Sequence, residues 1–206
     1  MATTQVRIGP SDHGRRMTLE EFREAEEEQG YCYELAGGVL EVTEVPNDPH
    51  WQVLDNLHET FSRYRRQHRG VILRIGHGSE CRLLIPETVS GRNPDLAIVF
   101  QGTPEDSRGR RPPDLAVEIV SPGREAHERD YVAKRGDYLA FGLREYWIVD
   151  PHRRQVTVLV REEGGEAAGW AEHVFRGDEM IVSSLLEGFA ARVPELWADA
   201  EFDPEG

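Results

Sequence analysis

The sequence predicts a single α/β domain with a mixed central β-sheet flanked by helices. Two short and nearly continuous apolar segments, Asn93 to Phe100 and Pro112 to Val120, have the pattern of strands buried on both faces. Pro122-Gly123 ends the second segment, and a helix is predicted from Glu125 to Phe141. Strands that alternate with helices favour an α/β architecture, and 206 residues without an evident linker fit one domain spanning residues 1–206.

The region before these strands predicts an added N-terminal helix and hairpin. Thr18 and Glu21 form a capping box that predicts a helix closed by Gly30. Gly37-Gly38 predicts a hairpin that joins Tyr31 to Leu35 with Val39 to Val45.

The remaining elements follow from apolar spacing and turn residues. A helix is predicted to start with Asp48 as its cap and Pro49 in its first position, and to run to about His68. The other predicted strands are Val71 to Ile75, Arg82 to Ile85, Glu145 to Asp150, Gln155 to Arg161 and, beyond a Gly164-Gly165 loop, Trp170 to Phe175.

Charge and composition exclude several classes of protein. The formal net charge of −14 argues against a protein that coats nucleic acid non-specifically. Cys32 and Cys81 are too few for a disulfide framework, and their spacing is not that of a zinc site. Residues 1–10 hold no signal-peptide pattern, and no apolar run approaches the roughly 20 residues of a membrane helix. We therefore expect a cytoplasmic protein with no membrane association.

Glu118 interrupts the apolar run Leu115 to Val120. An unpartnered carboxylate buried there would cost several kcal/mol. It could face water on an edge strand, but Ala116 and Val120 share its face and are apolar. A partner cation or a metal ion is the favoured explanation.

Asp95 and Asp114 are the two acids that could act with Glu118, since each follows a proline before an apolar strand. Asp114 lies four residues from Glu118 on one strand, about 13 Å away, which is too far for a shared metal ion. Asp95 lies on a neighbouring strand at about 4.8 Å and can reach the same ion.

Lys134 is the only lysine in a chain with 23 arginines. Tyr131, Tyr138 and Phe141 lie on the same face of its predicted helix. A lysine in this aromatic stripe either extends to the surface or meets a carboxylate. The single lysine could be present by chance, or it could be one half of a structural ion pair with Glu118.

Together these residues suggest one chemistry. Asp95 and Glu118 on adjacent strands could hold magnesium, and the Lys134 ammonium could face the same point. Such an arrangement suits phosphodiester hydrolysis, in which the metal ion polarises phosphate and lysine orients water or stabilises the transition state.

Four segments resemble the Uma (Uma-two) family of bacterial restriction endonucleases, within the PD-(D/E)xK nuclease superfamily. They are Tyr33 to Gly38, Pro94-Asp95, Pro112 to Pro122 and the most specific run, Glu145 to Pro151; the resemblance covers about residues 18–197. It implies a restriction-endonuclease-like fold, magnesium (with manganese as substitute) and a DNA substrate. It also implies that Asp95 and Glu118 are the motif acids, that the backbone carbonyl of Ile119 is a further ligand, and that Glu34 is an additional acid.

One departure concerns the motif lysine, which in the superfamily stands two residues after the second acid. Val120 occupies that position here, so Lys134 would have to supply the amine from the following helix. His50 also matches a family position, although a histidine in the first turn of a helix is more often a capping or packing group.

The favoured function is thus a magnesium-dependent endodeoxyribonuclease, with a non-catalytic DNA-binding or regulatory module as the alternative. A structural Glu118–Lys134 pair in an interaction protein is a third reading. Cutting both strands is simplest with two active sites, which favours a homodimer. Two clusters of basic residues could bind phosphates or could simply lie in solvent. One consists of Arg63, Arg65, Arg66 and Arg69, and the other of Arg108, Arg110 and Arg111.

Overall fold

The computed structural model describes residues 6–106, 109–162 and 169–202 of the chain. Its helices are α1 (Leu19–Glu24), α2 (Asp48–Gln67), α3 (Arg124–Glu128) and α4 (Lys134–Phe141); a π-helical turn over Arg129–Ala133 joins α3 to α4. Short 3-10 turns lie at Pro10–Asp12, Gly78–Cys81, Pro86–Thr88 and Val193–Trp197. The strands are β1 (Arg7–Ile8), β2 (Glu26–Glu27), β3 (Tyr31–Ala36), β4 (Val39–Glu44), β5 (Ile72–Gly76), β6 (Leu83–Ile85), β7 (Ser90–Arg92), β8 (Leu96–Phe100), β9 (Leu115–Ile119), β10 (Glu145–Asp150), β11 (Gln155–Arg161), β12 (Trp170–Arg176), β13 (Met180–Val182) and β14 (Ala190–Arg192).

The central sheet is mixed and has the strand order β12-β11-β10-β9-β8-β5. β9 is antiparallel to β8 and parallel to β10, and all five of its residues are buried. The two apolar segments of the sequence are therefore adjacent interior strands, as predicted. The edge-strand alternative for Glu118 is wrong, because both sides of β9 are paired and its Glu118 is 2% exposed.

Helices cover both faces of this sheet. On one face, Val53, Leu57 and Phe61 of α2 pack into a core with Leu96 and Trp147. On the other face, Tyr138 of α4 packs with Ala116, Tyr146 and Ile148. The observed architecture is the predicted mixed sheet flanked by helices.

A second sheet, with the order β4-β3-β7-β6, extends the domain beside the central sheet. Its β3–β4 hairpin turns at Gly37-Gly38 as predicted, where both glycines have positive φ. The short strand β7 was not predicted. It pairs with both β3 and β6 and runs directly toward Pro94-Asp95, so this sheet joins the central sheet at the start of β8.

Two helix boundaries differ from the prediction. The Thr18–Glu21 capping box forms, but α1 ends at Glu24 instead of Gly30 because Glu26–Glu27 pair in parallel with β1. The cap of α2 is Asn47, whose side chain accepts a hydrogen bond from the His50 amide. The helix predicted over 125–141 forms as a continuous run from Arg124 to Phe141, with the π turn in its middle.

The predicted Gly164-Gly165 loop lies outside the described residues. Within the described ranges, the helices are too short or too polar to cross a membrane.

Alanine substitutions at two glycines should change the free energy of unfolding in opposite directions. A Cβ at Gly91 in β7 would lie 2.4 Å from Cε1 of buried Phe22, whereas one at Gly136 in α4 meets nothing within 4 Å. Gly91→Ala should therefore lower the free energy of unfolding by about 1–3 kcal/mol. Gly136→Ala should raise it by about 0.5–1 kcal/mol, since alanine favours a helix interior. Urea titrations measure both, and equal stabilities would contradict the packing of α1 on β7.

Candidate active site

The sequence-predicted residues Glu34, Asp95, Glu118, Ile119 and Lys134 meet where the two sheets join the α3–α4 segment. All five line a cleft of about 1020 Å³. Glu34 comes from β3, Glu118 and Ile119 from the end of β9, and Lys134 from the first residue of α4. The fold therefore brings together residues that are separated by up to one hundred positions in the sequence.

Glu118 and Lys134 form a buried ion pair. The Lys134 ammonium donates to Glu118 Oε2 at 2.8 Å, and Lys134 is 4% exposed. The Tyr138 hydroxyl, one turn further along α4, donates to Glu118 Oε1. The aromatic stripe that singled out Lys134 thus places both donors on the same carboxylate, and Lys134 does not extend to the surface.

Asp95 lies beside Glu118 across the two strands. The register that pairs Leu96 with Val117 continues to Asp95 and Glu118, and Asp95 Oδ2 accepts a hydrogen bond from the Ile119 amide at 2.7 Å. In an extended strand the amide and carbonyl of one residue point to the same side, so the Ile119 carbonyl faces the Asp95 side as well. His50 Nε2 approaches Asp95 Oδ1 to 3.3 Å without forming a hydrogen bond.

Lys134 contacts more than one acid. Its Nζ lies 3.3 Å from Glu34 Oε1 and 3.7 Å from Asp130 Oδ1. Glu34 is itself fixed by the Asn93 amide, which donates to Glu34 Oε1 at 2.7 Å. The structure therefore places the additional acid Glu34 against the same ammonium as Glu118.

The sequence analysis missed Arg92, which is 1% exposed. Its guanidinium binds Glu34 at 3.1 Å, Glu41 at 2.8 Å and Asp137 at 2.7 Å. The sequence feature that could have pointed to Arg92 is its position directly before Asn93-Pro94-Asp95. Because β7 was not predicted, nothing placed Arg92 in the interior.

Asp130 and Arg129 were also missed. Asp130 is buried, its Oδ1 accepts from Arg129 Nε at 3.2 Å, and its Oδ2 has no hydrogen-bond partner among the described residues. The signal was the spacing of four residues between Asp130 and Lys134, which puts both on one helix face.

Burial and repulsion between acids raise the pKa values of some of these carboxyl groups, whereas neighbouring basic groups lower the pKa values of others. Burial raises the pKa of Glu118 well above its usual range, against the opposing Lys134 charge, and Asp95 adds to the rise. Burial also raises the pKa of Asp130. Burial likewise acts to raise the pKa of Glu34, but the charges of Lys134 and Arg92 outweigh it, so that pKa is lowered. For Asp95, burial is outweighed by His50 and Lys134, and its pKa is lowered.

Asp114 and the described members of the basic clusters from the sequence analysis lie outside the cleft, whereas Val120 lines it. Asp114, at the opposite end of β9, accepts from the Phe100 amide at 3.1 Å and the Thr103 hydroxyl, so it closes the loop between β8 and β9. Val120 is buried among Ala116 and Tyr138. Neither described basic cluster lines the cleft; Arg63, Arg110 and Arg111 pair with surface acids, and Arg108 lies outside the described residues.

The donor set fits magnesium better than zinc. In the described part of the chain, no three His, Cys, Asp or Glu side chains are grouped to surround one ion. Magnesium commonly binds through one or two carboxylates together with water and substrate phosphate, whereas zinc sites usually need three or four protein ligands. Each carboxylate oxygen has a second lone pair, so the contacts of Asp95 and Glu118 do not exhaust their capacity as acceptors.

The charge balance around these acids also suits a divalent cation. Within the described residues, Arg92, Arg129 and Lys134 pair with five carboxyl groups and Asp95 lies beside them, so six acids adjoin three cations. The six carboxylates are those of Glu34, Glu41, Asp95, Glu118, Asp130 and Asp137.

A mixed sheet that carries two acids on adjacent strands, facing an amine from the next helix, defines an α/β protein of nuclease-like fold. A solved structure with this fold is that of "a putative nuclease belonging to DUF820" from Anabaena variabilis, which matches with a TM-score of 0.68 at 19% sequence identity. The match covers 88% of this chain and 98% of that chain.

The family model agrees with this fold. The Uma2 model, described as "Putative restriction endonuclease", matches residues 19–194, and the chain belongs to this family. The family predicted from the sequence is thereby confirmed. No functionally curated protein matches the chain.

Removing the Arg92 guanidinium should be far more costly than removing a surface arginine. Arg92→Met leaves Glu34, Glu41 and Asp137 without their shared cation, and breaking a buried ion pair costs about 3–5 kcal/mol. Arg192 pairs with Asp178 at 2.9 Å on the surface, so Arg192→Met should cost less than about 1 kcal/mol. Chemical denaturation compares the two, and a small loss for Arg92→Met would contradict its central position in the network.

Proposed function

We propose that this chain is a magnesium-dependent endodeoxyribonuclease that hydrolyses DNA phosphodiester bonds. The observation that carries the proposal is the adjacency of Asp95 and Glu118 in a cleft, with the Lys134 ammonium bound to Glu118 at 2.8 Å. Family membership supports the nuclease class. A DNA substrate, a homodimeric assembly and a cytoplasmic location remain predictions.

The proposed roles follow from the positions of the side chains. Asp95 and Glu118, with the Ile119 carbonyl, would hold magnesium, which when bound polarises phosphate and lowers the pKa of its water. The Ile119 amide fixes Asp95, and Tyr138 fixes Glu118.

Lys134 is surrounded by Glu118, Glu34 and Asp130, so it is held as a cation. We assign it the role of orienting the attacking water or stabilising the negative transition state, since an ammonium donates hydrogen bonds and accepts none.

A non-catalytic DNA-binding or regulatory module is the second candidate. It is favoured by the Glu118 contacts, because Lys134 and Tyr138 already engage both carboxylate oxygens. Val120, in place of the usual lysine, is buried and apolar. In that case the ion pair would serve only to hold α4 on β9.

Manganese binding tests the metal site. Asp95→Asn and Glu118→Gln should each lose most of the calorimetric heat of manganese binding, since each removes one of two anionic ligands. Glu44→Gln is the matched control, because Glu44 lines the same cleft at its exposed rim. Thermal melts confirm that each variant is folded. Equal binding by the wild type and both site variants would exclude the site.

Lys134→Arg tests catalysis separately from metal binding. The larger planar guanidinium should displace the attacking water, and a displacement of about 1 Å can cost on the order of a hundredfold in rate. We expect Lys134→Arg and Lys134→Ala to lose metal-dependent cleavage of a random-sequence pool of duplex and single-stranded DNA, yet to bind manganese. Arg135→Lys is the control, since Arg135 pairs with Glu172 at the surface.

The two candidate functions give different outcomes in this assay. Full cleavage by Lys134→Arg would refute the catalytic role of Lys134. A wild type that binds manganese but cleaves no DNA would favour the non-catalytic module.

A further inference from the structure

A second, smaller pocket opens beside the cleft at the carboxyl ends of the parallel strands β9 and β10. Its volume is about 350 Å³, ample for a phosphate group, and it shares Val120, Ser121 and His152 with the lining of the cleft. A group bound in this pocket would therefore lie next to a group bound at Glu118 and Ile119.

The two linings carry opposite charge. Among the described residues, the cleft is lined by nine acids and only two permanent cations, Arg129 and Lys134. The smaller pocket is lined by four basic side chains and one acid; the basic ones are Arg124, His127, His152 and Arg153. In a chain with a net charge of −14, this local reversal marks a place suited to an anion.

The single acid of the pocket, Asp150, is already engaged. It is buried, with Oδ1 accepting from the Arg153 amide at 2.9 Å and Oδ2 accepting from the Tyr131 hydroxyl at 3.2 Å. The Arg153 guanidinium is 3.8 Å from Asp150 and its side chain is half exposed, so that contact is weak. Asp150 therefore shapes the turn after β10 and leaves most donors of Arg153 for a ligand.

The other basic groups are also available. Among the described residues, Arg124 makes no ion pair or hydrogen bond, and it follows Gly123 at the pocket wall. His127 stacks on Tyr131 with ring centroids 4.2 Å apart, which fixes its orientation. Its Nε2 is buried and has no hydrogen-bond partner within the described ranges. A fixed imidazole nitrogen without a partner is a group that an oxygen ligand would satisfy.

We propose that Arg124, His127 and Arg153 form a subsite for a backbone phosphate of DNA, adjacent to the phosphate that is cleaved. This inference rests on the proposed nuclease function. Two arginine forks suit the oxygens of a phosphodiester, and the adjoining acidic cleft would otherwise repel the strand. The subsite positions the substrate and takes no part in the bond-breaking step.

Metal-free DNA binding tests this subsite apart from catalysis. Fluorescence anisotropy of a short labelled duplex in chelator would be measured over a range of salt for the wild type, Arg124→Gln/Arg153→Gln and His127→Phe. Phenylalanine keeps the stack on Tyr131 and removes the ring nitrogens. Arg154→Gln is the control for each arginine substitution, since it removes one positive charge from a residue that adjoins Arg153 but does not line the pocket.

The double variant should bind about tenfold more weakly, the loss expected from charge-assisted hydrogen bonds. Its slope of log affinity against log salt should fall by about 0.9, one phosphate contact. His127→Phe should bind more weakly than the wild type, and Arg154→Gln should match the wild type. In a cleavage assay the double variant should raise KM and leave kcat unchanged, because a positioning contact is made equally in the ground and transition states.

Each contrary result has a distinct meaning. Unchanged affinity and salt slope in the double variant would overturn the subsite and leave the nuclease proposal standing. A wild type that binds no duplex in chelator would overturn the subsite, and one that binds none with manganese present either would overturn both proposals. Calorimetry with inorganic phosphate is the second arm: if the double variant loses phosphate binding but keeps duplex binding, the pocket takes free anions and the DNA assignment is overturned.

Discussion

The buried contact between Lys134 and Glu118 is the interaction on which the rest of the site depends. Removing two charges from water costs several kcal/mol per ion, and one contact at 2.8 Å recovers this only with further hydrogen bonds. Tyr138 supplies one such hydrogen bond, and Glu34 and Asp130 add charge contacts to Lys134 at 3.3 and 3.7 Å; each comes from a position that the fold must hold firmly. The junction of β3, β9 and α4 is therefore fixed by electrostatics as much as by apolar packing.

The sequence could predict the parts of this arrangement that break a local pattern. Glu118 was found because it interrupts an apolar strand, and Lys134 because it lies in an aromatic helical stripe. The strand spacing then selected Asp95 over Asp114, and the structure places Asp95 beside Glu118 and Asp114 at the far end of β9. Each inference used only neighbours within one element or one strand pair, where periodicity carries the information.

The elements that could not be predicted depend on contacts distant in the chain. Arg92 lies in a three-residue strand with no pattern of its own, and its partner Glu34 is 58 residues away. The early end of α1 depends on a pairing between β1 and β2, which overrides the helical propensity of a charged segment. The π turn before Lys134 likewise gives no signal in apolar spacing. Tertiary contacts decide all three.

The charge pattern also constrains how a polyanion could reach the site. Nine acids line the cleft, and at physiological salt exposed charges act over roughly 8 Å, so a bare phosphate backbone would be repelled at the entrance. The basic clusters on α2 and near Arg110 do not line this cleft and cannot offset that repulsion at close range. The two features proposed above would offset it: a divalent cation held by Asp95 and Glu118, and the basic pocket beyond Ser121. Because both features lie at the carboxyl end of β9, a nucleic-acid strand that enters there would be attracted only along the line that joins them. The acidic lining would then restrict the direction of approach, since exposed acids of the cleft, among them Glu44, Glu80 and Glu125, would repel a phosphate backbone elsewhere.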